Sequence, residues 1–412
     1  MHKIAVAQLA PGVRLAKALH TARGDTLLAR GVELTSEYVQ RIRERGFQYV
    51  YVLDGIADDV EPLGLISDQL RTATVRNIQL MYDLMAEASQ AVRDQVAADG
   101  AHVLREIPLE ISPAVARHLN ELDRDVEGLL DETMDTTTLA GIASLKSHDN
   151  YTFEHSVDVA YYGVILGRRL SLDLGYLKDL ALGCLLHDVG KMYVDERILN
   201  KPGKLDPHEF EAIKQHTLLG FQMIRQLPIS SPRPAHVALQ HHERQDGRGY
   251  PHGLFGTNKI FRTDRERFDS RRINLLAELG AVADVCSALA SDRPYRPALA
   301  VPDVLREMRA FSGHHLNQEA LQAFLSLAPT FAVGTHVRVV GGHFDGCYGV
   351  VTRTSVVRDR PHVRLLVDRW GRSLGEGAEI KLAWQPSSVE LVAVPESGLS
   401  IEEYARTQAL AA

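Results

Sequence analysis

The stretch GYLKDLALGCLLHDVGK, residues 175–191, decides the fold class. It is nearly continuous apolar sequence around a helical run, and Leu177, Leu180, Ala181 and Cys184 mark a buried face. His187 and Asp188 lie seven residues beyond 180 and 181, about two turns on, and so point into that same face. An ionised carboxylate taken out of water costs on the order of 20 kcal/mol before relaxation. A metal ion would compensate that cost. The other reading is a hydrogen-bonded His–Asp pair that merely holds two helices together, and for an isolated pair it is the commoner one.

Working outward, four more segments carry residues of the same kind. His155 in YTFEHSVDVAYYGVIL lies off the apolar stripe of Phe153, Val157, Tyr161 and Val164. Taken alone it reads as a surface or capping histidine. His216 in FEAIKQHTLLGFQMI sits in a helical pattern and alone reads as a core-edge histidine. His241 and His242 follow VALQ at a helix end, just before a Gly-rich loop. Adjacent helical positions diverge by about 100°, yet both can reach one broad site. Asp284 in INLLAELGAVADVCSAL shares a face with the small residues Ala277, Gly280 and Ala288, which lets a helix or a metal come close. Alone it reads as a helix-packing aspartate.

Together these are five histidines and two aspartates on apolar helices. Mixed imidazole and carboxylate donors suit iron, manganese or zinc better than magnesium or calcium. Seven donors exceed what one tetrahedral zinc uses. They fit two metals about 3.5–4 Å apart bridged by a carboxylate, an arrangement that makes hydroxide near neutral pH and stabilises charge on a phosphoryl oxygen.

The chain has 412 residues, too many for one ordinary core. The reading is a multidomain, mainly α protein. Residues 1–57 form a small α+β module ending in the alternating FQYVYV, and 58–147 hold an acidic linker (58–66) and a helical region. Residues 148–326 form an all-helical bundle carrying the chemistry, and 327–412 a β-rich domain with a tail. The net charge of −7 gives no global basic field for a nucleic acid polymer, although a local pocket can still hold a small anion. Cys184, Cys286 and Cys347 form no CxxC pair and read as reduced thiols. No run approaches ~18 apolar residues and MHKIAVAQLAPG has no long apolar core, so neither a membrane span nor a signal peptide is expected, and the expected location is cytoplasmic.

With these residues in order, the sequence resembles the HD superfamily of metal-dependent phosphohydrolases and, within it, the HD-GYP family. The matching text is HS (155–156), HDVGK (187–191), KPGKL (201–205), His216, HHERQDGRGYP (241–251) and ADVCSALASDRPYR (283–296), and the resemblance covers about 145–325. It implies a helical bundle and hydrolysis of cyclic di-GMP to pGpG, and in some members GMP, by a metal-bridging hydroxide. A few members cleave cyclic GMP-AMP. Carried over by position, His155, His187, Asp188 and Asp284 would hold one metal. His216, His241 and His242 would hold the second, with Asp188 bridging, and the ions would be iron or manganese. Lys191 would meet a phosphate oxygen, Tyr250 the substrate, and Arg293 and Arg296 the phosphates or guanines. The bland alternatives are a snorkelling lysine, a turn tyrosine packed on Pro251, and a helix end followed by a turn. Residues 4–53 and 331–383 also resemble modules that flank HD-GYP domains, and residues 67–145 are where a homodimer would form.

Two departures from the family pattern shape the expectation. Three-metal members carry a Glu four residues before the first ligand histidine, where this chain has Tyr151, so two metals are expected. The charged stretch NKIFRTDRERFDSRR, 258–272, looks like an insertion. It reads either as a solvated surface loop or as a flap whose Arg262, Arg265 or Arg267 meets phosphate. The competing functional readings are a scaffold that binds a cyclic dinucleotide without cleaving it, and an HD phosphohydrolase for another nucleotide.

Overall fold

The structure is a computed structural model and describes residues 2–20, 26–45, 47, 49–53, 55, 57–60, 66–88, 111–134, 136, 151–199, 201, 203–291, 299, 301–355, 357, 359–375, 377–394 and 399–411. At the N-terminus β1 (His2–Ala5) pairs antiparallel with β4 (Tyr49–Val52), and β2 (Leu19–His20) with β3 (Thr26–Leu28). Helix α1 (Ser36–Glu44) starts where the Thr35 side chain accepts from the Tyr38 amide. Its Val39 and Ile42 pack with Leu15, Leu34 and Val50 in a core of their own, the α+β arrangement the alternating pattern suggested.

The helical part runs through α2 (Asp68–Ala88), α3 (Pro113–Glu132), α4 (Tyr151–Arg169) and α5 (Leu174–Leu186), then a 3-10 turn, Val189–Tyr193. It continues with α6 (Glu196–Leu199), α7 (Pro207–Ile224), α8 (Arg233–Gln240), α9 (Asp264–Arg267), α10 (Leu275–Leu289), α11 (Val301–Ala310) and α12 (Gln318–Leu327). Helix α5 lies at the centre. Apart from Lys178 every residue from Leu177 to Leu186 is buried, so the apolar run has no solvent face at all. Each leucine so enclosed contributes about 1.5–3 kcal/mol. Asp173 caps the start of α5, its side chain accepting from the Tyr176 amide at 3.0 Å.

One hydrophobic core extends from Ile66 to Ala328. Helices α2 and α3 therefore belong to the bundle packing, not to a separate region before it. Val75, Ile78, Met81 and Met85 of α2 and Leu119, Leu122 and Val126 of α3 are buried in this core. Arg71 of α2 donates to Asp158 of α4 at 2.6 Å in a buried ion pair. The apolar faces of these two helices, where dimer contacts were expected, are thus used inside the chain.

At the C-terminus β5 (His336–Val340), β6 (Tyr348–Arg353), β7 (His362–Val367), β8 (Glu379–Lys381) and β9 (Glu390–Ala393) form one antiparallel sheet in the order β8-β7-β6-β5-β9. Alternate residues such as Val337, Val339, Val363 and Leu365 build its core. Helix α13 (Ile401–Ala411) buries Ile401 and Ala405 beside Tyr348, Val350 and Leu366. Where the N-terminal module meets the expected linker, Ala57 and Val60 are buried in that same cluster, and Arg364 donates to Asp59 at 2.8 Å. Among the described residues no helix is long and apolar enough to cross a membrane.

Candidate metal centre

Backbone carbonyls aim three of the histidines, two of them at helix ends. The last carbonyls of an α-helix have no partner within it. At the end of α5 the carbonyl of Cys184 lies 2.7 Å from His187 Nδ1, and at the end of α8 the carbonyls of Ala238 and Val237 lie 2.9 and 3.1 Å from His241 Nδ1. Within α7 the Ile213 carbonyl lies 2.6 Å from His216 Nδ1. A carbonyl only accepts, so each Nδ1 carries the proton and each Nε2 is left with its lone pair free. All three Nε2 atoms converge on Asp188.

The two oxygens of Asp188 face different groups. Oδ2 lies 3.4 Å from His187 Nε2, whereas Oδ1 lies 3.5 Å from His216 Nε2 and 3.8 Å from His241 Nε2. Donor atoms of His155, His187 and Asp188 all fall within 4.8 Å of one another, and so do those of His216, His241 and His242. Asp284 joins the first group, its Oδ1 3.0 Å from His155 Nε2, and Ser287 Oγ sits 2.9 Å from the other nitrogen of that ring. All seven residues expected as ligands are therefore brought together. His155 is buried, not on the surface, because α4 is enclosed on nearly every side.

These residues fit a metal. Asp188 is 1% exposed and its Oδ1 is buried with no hydrogen-bond partner among the described residues, a costly arrangement unless a cation takes that oxygen. The 3.0 Å between His155 Nε2 and Asp284 Oδ1 is also the separation of two ligands at right angles with bonds of ~2.1 Å. Burial lowers the imidazoles of His216 to about 4 and of His241 to about 3, and His242 falls for the same reason. All three are neutral at pH 7, the form that binds metal. Burial raises the carboxyl of Asp188, but the His187 ring, the Lys191 ammonium and the other rings outweigh it and hold it well below its ordinary range. Lys191 Nζ lies 2.5 Å from Asp188 Oδ2, so this lysine points into the site and does not snorkel away from it.

Glycines set how closely the parts approach. A Cβ on Gly190, in HDVGK, would meet the His216 carbonyl oxygen at 2.0 Å and the Gly220 nitrogen at 2.6 Å. The turn after Asp188 is thus pressed against the backbone of α7 that carries His216. A Cβ on Gly249 would lie 2.4 Å from Glu243 Cα, where the Gly-rich loop folds back on the end of α8. Tyr250 then stacks on His242, with ring centroids 4.7 Å apart and planes 30° apart, and its ring is flanked by Phe210. Burial pushes its phenol up, so Tyr250 stays an O–H donor and a stacking face.

Several site residues carried no clear signal in the sequence. Glu243 is buried and accepts from the amides of His252 at 2.7 Å and Leu254 at 2.8 Å, bracing the loop around Tyr250; its acidity beside a Gly-rich loop was the one hint. His315 lines the cleft of about 560 Å³ that opens onto His241, His242 and Asp284, yet sits in a loop without periodicity. The stretch 258–272 is neither fully solvated nor a flap at Arg262. Arg262 is buried and paired with Glu278 of α10, which also accepts from Gln245 at 2.9 Å and Asn317 at 2.7 Å. Arg265 and Arg267 are in α9, which has no buried residue. Arg293 and Arg296 lie outside the described residues.

Residues 152–289 match the HD domain family, and the match spans every histidine and aspartate of the cluster. This part of the chain belongs to the HD domain family. Relatives extend the HD domain match. A cyclic di-GMP phosphodiesterase of Pseudomonas aeruginosa is 35% identical over 246 residues, 60% of this chain and 51% of the relative. A cyclic di-GMP phosphodiesterase of Thermotoga maritima is 34% identical over 182 residues, 43% of this chain and 45% of the relative. The 3'3'-cGAMP-specific phosphodiesterase 1 of Vibrio cholerae is 35% identical over 171 residues, 42% of this chain and 36% of the relative. The chain thus spans about half the length of the first relative and less of the other two. HD domain phosphohydrolases bind divalent metals, and the His and Asp groups here are able to hold them.

Proposed function

We propose that the chain is a metal-dependent phosphodiesterase that hydrolyses cyclic di-GMP to pGpG at a two-metal site. The observation that carries this reading is the Asp188 carboxylate, whose two oxygens face two separate sets of imidazole nitrogens. His155, His187 and Asp284 would hold one ion, His216, His241 and His242 the other, with Asp188 between them. The donor set favours iron or manganese. Divalent cations held there supply Lewis acidity toward a phosphoryl oxygen and acidify water near neutral pH. The chain's own groups do the rest. Lys191, beside Asp188, offers a fixed positive charge to a non-bridging phosphate oxygen. Tyr250, held by His242 and Phe210, presents a stacking face and an O–H donor to the substrate. The buried Nδ1–carbonyl bonds keep three rings in one tautomer, so no reorganisation precedes binding.

Relatives named for cyclic di-GMP and for 3'3'-cGAMP both support a cyclic dinucleotide, and the Pseudomonas aeruginosa and Thermotoga maritima relatives support cyclic di-GMP. The layout that goes with this function keeps the small α+β module at 1–57 and the β-rich end at 327–412. It joins α2 and α3 to the catalytic bundle. The test is metal analysis of the purified protein, loaded anaerobically with iron or with manganese, paired with chromatography of the products from cyclic di-GMP. The expected result is two metals per chain and pGpG, with both lost in Asp188→Ala while helical content is kept. Unchanged turnover in Asp188→Ala would end the proposal.

A further inference from the structure

The cleft next to the ligand cluster divides into three kinds of surface. One is made of the ligand candidates His241, His242 and Asp284. Beside it runs an apolar wall of Val285, Ala288 and Leu289, continued by Leu299. Asp284, Val285, Ala288 and Leu289 belong to one helix, α10, and the five steps from 284 to 289 advance ~7.5 Å along its axis. The third is polar, Glu307 of α11, and His315, whose carbonyl accepts from the Gln245 amide, completes the lining. Apart from Asp284, Glu307 is the acidic residue among the described lining residues, and no lysine or arginine lines the cleft among them. Burial lowers His315 to about 4, so it adds no charge at pH 7.

A ligand with anionic phosphates and flat bases has one orientation that suits these surfaces. Its phosphate belongs beside the ligand candidates, near Lys191 and where cations would be held. A phosphate beside Glu307 would meet a like charge. A base laid along the wall removes apolar surface from water and brings its polar edge toward Glu307. A carboxylate is an acceptor only, with two oxygens. Guanine presents two adjacent donors on its Watson–Crick edge, N1–H and the N2 amino group, and both can be taken by one carboxylate. Adenine places the N1 lone pair in that position, against the carboxylate, and offers one donor beside it. We propose that Glu307 reads a guanine base of the bound cyclic dinucleotide and makes the cleft selective for guanine over adenine. The inference rests on the phosphodiesterase reading above.

The experiment uses the full chain, loaded with manganese, and compares wild type with Glu307→Gln and Glu307→Ala on cyclic di-GMP, 3'3'-cGAMP and cyclic di-AMP. Glu307 is exposed on α11, and the Gln variant keeps its shape, so folding is checked by thermal unfolding and metal content by elemental analysis. Equilibrium binding of cyclic di-GMP and cyclic di-AMP to the metal-free chain gives a readout without turnover. A bidentate base contact supports a loss of about 10–100-fold in kcat/KM for cyclic di-GMP in Glu307→Gln, carried by KM, with the same loss in binding. Cyclic di-AMP should be hydrolysed as in wild type or better, and 3'3'-cGAMP should fall between. If wild type cleaves cyclic di-GMP but the ratio of cyclic di-GMP to cyclic di-AMP is the same in both variants, the role of Glu307 is overturned and the phosphodiesterase reading stands. If wild type with two metals cleaves none of the three, that reading fails and takes this inference with it.

Discussion

Replacing Gly190 by alanine adds a single methyl group, and the consequences can be worked from the packing. The new Cβ would stand 2.0 Å from the His216 carbonyl oxygen, where a carbon–oxygen contact needs about 3.3 Å. Helix α7 or the turn after Asp188 must therefore retreat by roughly 1.3 Å, the difference between those two distances. Both colliding atoms, His216 O and Gly220 N, are backbone, so no side chain can rotate away. Overpacking of this kind costs about 1–3 kcal/mol, and the rigid neighbours place this case at the upper end. The same shift separates His216 Nε2 from Asp188 Oδ1, now 3.5 Å apart. A displacement near 1 Å in a catalytic cluster costs on the order of 10²-fold in rate. Urea unfolding, metal stoichiometry and turnover of Gly190→Ala should therefore fall together. Gly175→Ala is the matched control, because its Cβ would meet only Asp173 Oδ1 at 3.4 Å and the helix start should accept it. A Gly190→Ala protein that unfolds within about 0.5 kcal/mol of wild type and binds its full metal complement would refute this account of the HDVGK turn.

Other perturbations follow from the same geometry. His216 and His241 have folded-state values of about 4 and about 3, below the ordinary 6.5, so the unfolded chain binds more protons than the folded chain between those limits. Metal-free protein should therefore be fully stabilised above pH 6.5 and lose on the order of 3 kcal/mol per imidazole as pH falls toward 4. Urea titrations at several pH values should show that slope, and a flat profile would contradict the burial of both rings. Glu243→Ala strands the amides of His252 and Leu254, at about 1–3 kcal/mol for the unsatisfied donors, and should raise KM through Tyr250 while metal content holds. Arg262→Met leaves Glu278 buried without its cation and should destabilise the fold by about 3–5 kcal/mol. The double variant Arg262→Met/Glu278→Met should recover most of that loss in a denaturant double-mutant cycle; if both single changes are silent, the pair has no role in anchoring 258–272.

The near-continuous apolar run alone marked a buried helix, and from Leu177 to Leu186 every residue of α5 but Lys178 is buried. The seven ligand candidates were picked out by imidazoles and carboxylates recurring together on apolar helices and by the family pattern they resemble, although each residue alone read as structural. The strands at both ends were legible from alternation for the same local reason. Which oxygen of Asp188 faces which ring depends on α5, α7 and α8 meeting, contacts between residues up to 53 positions apart, from 188 to 241, that no local pattern encodes. The membership of α2 and α3 in the bundle, the docking of residues 57–60 on the C-terminal sheet and the inward turn of Arg262 toward Glu278 were equally invisible. A charged loop looks solvated from its composition, and only tertiary structure decides that one of its arginines has a buried carboxylate to neutralise.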